Sequence, residues 1–128
     1  MLRRQLLNRA RRLAGDTERA AMVDRITIDR AASRIYTGEA RFIFTGKTEI
    51  TQSTWGAATL WSFAEMHLPS SAPSVNTGDA INIVNSPEPA LIGRRGYVTF
   101  AEPVTSLSGF QRITIRLAGS LSLGGGIG

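Results

Sequence analysis

His67 is the only histidine of the chain, and Glu65 stands two residues before it. On a strand that spacing puts both side chains on one face, so a histidine–carboxylate dyad acting as general acid and base is conceivable. A single strand histidine more often serves packing or surface hydrogen bonding, and no second feature joins it here. The acids are scattered, and several stand beside arginines, as in Asp24-Arg25 and Asp29-Arg30, which read as solvated strand ends. A metal site would need clustered ligands. The chain has no cysteine, which excludes thiolate catalysis, cysteine-ligated zinc and disulfides. Gly124-Gly125-Gly126 follows no strand-to-helix context, and neither a Walker sequence nor a Gly-x-Ser-x-Gly elbow occurs. The expectation is a protein that is not an enzyme, with no cofactor and no metal.

The chemistry that remains is recognition. Fourteen of the fifteen basic residues are arginine, Lys47 being the exception, and the formal net charge is +5. Arginine offers a planar fork to phosphates, carboxylates and carbonyls and tolerates an interface better than an ammonium does. Arg3, Arg4, Arg9, Arg11 and Arg12 crowd the start of the chain, where they would face a partner or DNA. Between them Leu2, Leu6, Leu7 and Leu13 recur at helical spacing and form one apolar stripe. Residues 1–21 are therefore expected to make a basic amphipathic helix that docks by its leucines, with a break or a second short turn near Gly15-Asp16-Thr17.

Beyond about Val23 the pattern changes to period two, which marks strands that would position everything else. Ile26-Thr27-Ile28, Glu39 to Phe44, Thr59 to Leu68, Ala80 to Val84, Gly96 to Phe100 and Gln111 to Leu117 are the expected strands. In Thr59 to Leu68 one face carries Leu60, Ala64, Met66 and Leu68 and the other Trp61, Phe63, Glu65 and His67, so both faces need cover. Turns are expected at Thr37-Gly38, Thr45-Gly46, Asn76-Thr77-Gly78-Asp79 and Ser108-Gly109, and a single helical turn within Pro87 to Gly93. Two longer loops, Lys47 to Ala58 with Gln52 and Trp55, and Pro69 to Thr77 with Ser70 and Ser71, are candidate channel or interface segments. Strands without intervening helices predict a mainly β fold, a small closed barrel or sandwich of about six strands over residues 22–117. Residues 118–128 form a flexible glycine-rich tail in which Leu121, Leu123 and Ile127 would anchor on a neighbouring subunit.

Small β-barrels often bind nucleic acid through exposed aromatics, here Trp55, Trp61, Phe63, Tyr36 and Phe42. Because the arginines gather in the first segment, core packing is the expected job of most of these rings. The helix would still contact phosphates without sequence preference. No apolar run approaches the ~20 residues that span a bilayer, so no membrane partner is expected. Met1-Leu2-Arg3-Arg4 is followed by Gln5-Leu6-Leu7-Asn8-Arg9 rather than an unbroken apolar stretch, so no signal peptide is expected.

The order of these features carries a resemblance. A basic helix, then Asp24-Arg25-Ile26-Thr27-Ile28-Asp29-Arg30 and Ile35-Tyr36-Thr37-Gly38-Glu39-Ala40-Arg41-Phe42, resembles the small head-to-tail connector proteins of tailed bacteriophages. Gly78-Asp79-Ala80-Ile81-Asn82-Ile83-Val84, Pro87-Glu88-Pro89-Ala90-Leu91-Ile92-Gly93-Arg94 and the closing Gln111-Arg112-Ile113-Thr114-Ile115 extend it over residues 22–117. The long glycine-rich end has no counterpart in that group. The resemblance implies a head-completion or stopper-type virion protein, a β-barrel subunit of a homo-oligomeric ring beneath the portal, assembled in the host cytoplasm. Its implied partners are a portal or adaptor protein, a tail terminator or tail tube protein, and packaged double-stranded DNA held by nonspecific electrostatics. A tail terminator or tail-tube ring protein and a nucleic-acid-binding barrel are the alternatives.

Overall fold

The computed structural model describes residues 17–52, 56–102 and 109–119. Six strands run in chain order: β1 (Asp24–Arg30), β2 (Ser33–Gln52), β3 (Ala58–Pro69), β4 (Ala80–Asn85), β5 (Arg95–Ala101) and β6 (Phe110–Ala118). All pairings are antiparallel. The hydrogen-bonded order β1-β2-β3-β6-β5-β4 returns to β1, so the sheet closes on itself instead of splitting into two packed layers.

Alternation decides which side chains fill the ring. Ile26 and Ile28 of β1, Ala64, Met66 and Leu68 of β3, Ile81 and Ile83 of β4, Val98 of β5, and Ile113, Ile115 and Leu117 of β6 are almost wholly buried. Each buried Ile, Leu or Met contributes about 1.5–3 kcal/mol. Ala72 and Val75 of the segment after β3, and Leu91 of a 3-10 turn at Pro89–Leu91, join this core. The expected helical turn within Pro87 to Gly93 is thus present, as is the turn at Asn76 to Asp79, closed by Asp79 N–H to the Asn76 carbonyl at 3.0 Å.

All six expected strands are found, and one differs greatly in length. β2 runs for 20 residues, through both Thr37-Gly38 and Thr45-Gly46, which the sequence suggests as turns. Gly38 lies within the ladder opposite Ile26, and the Tyr36 ring folds over it: a Cβ there would sit 2.5 Å from the Tyr36 hydroxyl oxygen. That hydroxyl donates to the Glu39 carbonyl at 2.8 Å. Gly46 has φ 82° and falls where the β2–β3 register shifts between Phe44 and Thr48, so this glycine makes a bulge and the strand continues. The expected loop Lys47 to Ala58 is accordingly strand as far as Gln52, paired with β3 through Gln52 opposite Ala58.

Two further expectations change. Asp24 is not a solvated strand end: it is 7% exposed and accepts a hydrogen bond from Ser86 Oγ at 2.5 Å. Pro69 to Thr77 is pinned to the body by Ala72 and Val75 and by Arg30, which donates to the Ser74 carbonyl at 3.1 Å. Of the expected N-terminal helix, the described part is a helical turn over residues 17–20; the rest, like the glycine-rich tail beyond Gly119, lies outside the described residues.

Candidate interaction surface

Three parts of the surface stand out, and the first follows from how far β2 extends beyond its pairing with β1. β1 pairs with β2 only up to Ala40, while β3 pairs with β2 from Arg41 to Gln52. Beyond Ala40 the side of β2 turned away from β3 therefore has no strand partner among the described residues, while β3 stays paired with β6 as far as Trp61, so β2 runs out as an edge arm whose tip alone, residues 50–52 with 58–60, is two-stranded. In the arm Phe44 lies opposite Ala64 and Ile50 opposite Leu60, the parity that points into the core lower down. Beyond the mouth of the ring nothing described covers that face, and Ile50 is 69% and Phe44 42% exposed. Ile43, on the other face, is also exposed.

The second part is the outer face of β3. His67 lies opposite Arg112 of β6 and Arg41 of β2, and the helical turn at 17–20 brings Glu18 over it. His67 Nδ1 meets a Glu18 carboxylate oxygen, and Nε2 meets Glu65 Oε1 at 2.6 Å. Arg41 donates to Glu18 at 2.9 Å and Arg112 to Glu65 at 2.8 Å, so five side chains, Arg41, Glu18, His67, Glu65 and Arg112, form one hydrogen-bonded chain. Phe110 covers the imidazole with ring centroids 4.6 Å apart. Glu65 is held below the ordinary carboxylate range, first by the His67 hydrogen bond and then by Arg112, against an upward push from burial. His67 is 5% exposed, so the dyad faces no open cleft. Its geometry fastens the segment before β1 to the sheet and covers the second face of β3.

The third part is the outer face shared by β3, β6 and β5. Trp61 and Phe63 stand on it, with the Arg116 guanidinium 4.3 Å from the Trp61 ring centre and the Lys47 ammonium 5.0 Å from that of Phe63. Tyr97 approaches Trp61 at 6.1 Å between centroids. Core packing, expected for these rings, is therefore not where Trp61 and Phe63 serve; Tyr36 and Phe42 do pack against the core. Among the described residues the fully buried side chains of the interior are all aliphatic or Met.

Of the residues singled out in the sequence, Lys47 sits in the bulge of β2, and Gln52 ends that strand with its amide donating to the Gly56 carbonyl at 3.4 Å. Ser70 and Ser71 are exposed in the turn after β3, which Ala72 N–H closes onto the Pro69 carbonyl at 3.0 Å. Those two serines lie roughly 20 Å along β3 from Lys47, so the two expected loops do not meet at one mouth. Arg3, Arg4, Arg9, Arg11 and Arg12, Leu2, Leu6, Leu7 and Leu13, Trp55, and Leu121, Leu123 and Ile127 lie outside the described residues. Sequence reasoning missed Arg116, Tyr97 and Glu18, whose roles depend on neighbours across the sheet. Among the described residues no group of three or more His, Asp or Glu side chains could hold a metal ion.

The sequence model of a family of unknown function (DUF6093) matches residues 14–116. No curated protein matches the chain.

Proposed function

The chain belongs to this DUF6093 family, and we propose that it is a virion structural protein of a tailed bacteriophage, a subunit of a ring at the head-tail junction. The ring would sit under the portal, extend or close the DNA channel and offer the attachment surface for the tail. No reaction is part of this reading; the protein acts by contact.

The observation that carries it is the β2–β3 arm. A long strand edge, unpaired among the described residues, that carries the exposed Ile50 and Phe44 is an aggregation hazard unless another chain covers it. A head-to-tail ring also requires a second, different face on each subunit. Val84 at the end of β4 and Ile92 after the 3-10 turn, 52% and 46% exposed, supply apolar surface elsewhere on the molecule. The order of sequence features shared with head-to-tail connectors supplies the biological setting, and the small closed sheet suits a ring-building β-barrel subunit.

Analytical ultracentrifugation of the full chain, followed by electron microscopy with portal-containing particles, tests the proposal. Closed rings, or rings that form on the portal, are expected. A protein that stays monomeric at high concentration and never joins such particles overturns it.

A further inference from the structure

The outer face of β3, β6 and β5 gathers an arginine among aromatic rings, away from the edge of β2. Burial alternates along β6, so Gln111, Ile113, Ile115 and Leu117 turn inward while Arg112, Thr114 and Arg116 turn outward. Arg116 lies opposite Phe63 on one side and Tyr97 on the other, which places a guanidinium between two aromatic strands. Phe100 stands opposite Thr114 and is 56% exposed, so it extends the same face.

Arg112 is neutralised by Glu65, whereas Arg116 has no carboxylate partner among the described residues. Among the described residues Arg116 makes neither an ion pair nor a hydrogen bond, and its Nε is buried without an acceptor. Its position is fixed by stacking on Trp61, whose indole N–H is in turn held by Thr51 Oγ1 at 2.9 Å. A buried donor left open calls for an acceptor that arrives from outside.

Beside it lies a cavity of about 350 Å³ lined by Thr77, Gly78, Tyr97, Val98, Thr99 and Arg116. Three other donors there are already spent: Thr77 Oγ1 on the Thr99 carbonyl at 3.4 Å, Thr99 Oγ1 on the Thr114 carbonyl at 3.0 Å, and Gly78 N–H on the Val98 carbonyl at 2.8 Å. No carboxylate lines the cavity. What it presents is a forked cation beside a half-exposed phenol ring, the complement of an oxyanion joined to a flat ring.

We propose that this face binds single-stranded nucleic acid, with a phosphate on the Arg116 guanidinium and a base stacked on Tyr97. Trp61, Phe63 and Phe100 offer further π-faces, and Lys47 adds a cation near Phe63. A duplex keeps its bases stacked inside and cannot use these rings, so a single strand is preferred.

Fluorescence anisotropy with a labelled oligothymidylate and the full chain tests this. Binding that weakens steeply with added salt is expected, with Arg116→Gln and Tyr97→Ala each lowering affinity about tenfold or more while circular dichroism and the melting midpoint stay unchanged. No binding at moderate salt overturns the proposal, as does binding that neither variant weakens. Displacement by a duplex as effective as by a single strand shows plain charge attraction and overturns it too. Equal displacement by polyglutamate makes the site a receptor for acidic protein segments instead. Sedimentation of the same two variants separates this test from the assembly reading, because both should still form rings.

Discussion

Glu65 lies between His67 and Arg112 on the outer face of β3, and the direction in which its carboxyl is shifted sets the sign of its contribution to stability. Its carboxyl titrates below the ordinary value of 4.5 in the folded protein, so in that window the unfolded chain binds more protons. The stabilisation is therefore present above the ordinary glutamate range and is lost as pH falls through the lowered value. Asp79 behaves alike: burial pushes its carboxyl up, but hydrogen bonds from Arg30 at 2.9 and 3.1 Å and from the Asn76 N–H outweigh that and leave it lowered. Urea unfolding at pH 7 and near pH 3.5 should show Glu65→Gln losing less stability on acidification than the parent protein. Equal losses would refute the assignment. The pairing of Glu65 with His67 was legible because two residues on a strand share a face by local geometry alone. Glu18 and Arg112, separated by 49 and 47 residues from their partners, were not, because the packing of the turn before β1 and the pairing of β3 with β6 bring them there.

At the scale of elements, the close approach of β5 and β6 depends on Gly96. A Cβ at that position would press into the Arg116 carbonyl oxygen and the Leu117 side chain, well inside van der Waals contact. Gly96→Ala is expected to destabilise the protein by about 1–3 kcal/mol, read from the midpoint of chemical denaturation. Gly46 lies in open space, so Gly46→Ala meets only the left-handed backbone of the bulge and should cost about 1–2 kcal/mol. A larger effect at Gly46 than at Gly96 would show that the bulge, and not strand contact, is the tighter constraint. Gly46, together with Gly38, also explains why β2 is longer than the sequence suggests. In a sequence, a glycine between apolar runs signals a break, whereas a bulge or a ring lying over the strand uses the same residue and lets the strand continue.

For the whole molecule, the assembly reading turns on surface that the closed sheet leaves outside. Ile50→Asp changes a side chain that is 69% exposed, so the melting midpoint should move by no more than a degree or two. Ring formation should nevertheless be abolished, as sedimentation would reveal. Rings that persist with Asp at this position would shift the contact away from the arm. Val84→Asp, on the other apolar face, should give the same loss, and mixing the two variants should restore pairs but not closed rings, since each keeps one intact face.

Sequence alone determined the number and approximate place of the six strands, because period-two alternation of Ile, Val and Leu is written locally and survives any arrangement of the strands. It also located the short turn before β5 from Pro89 and its neighbours. Only the tertiary structure decided that the sheet closes, that β2 and β3 continue into an arm, and that Trp61, Phe63 and Tyr97 face outward around Arg116. Those outcomes depend on register between strands far apart in the chain, and a register is fixed by the sum of many cross-strand contacts that no short stretch of sequence contains.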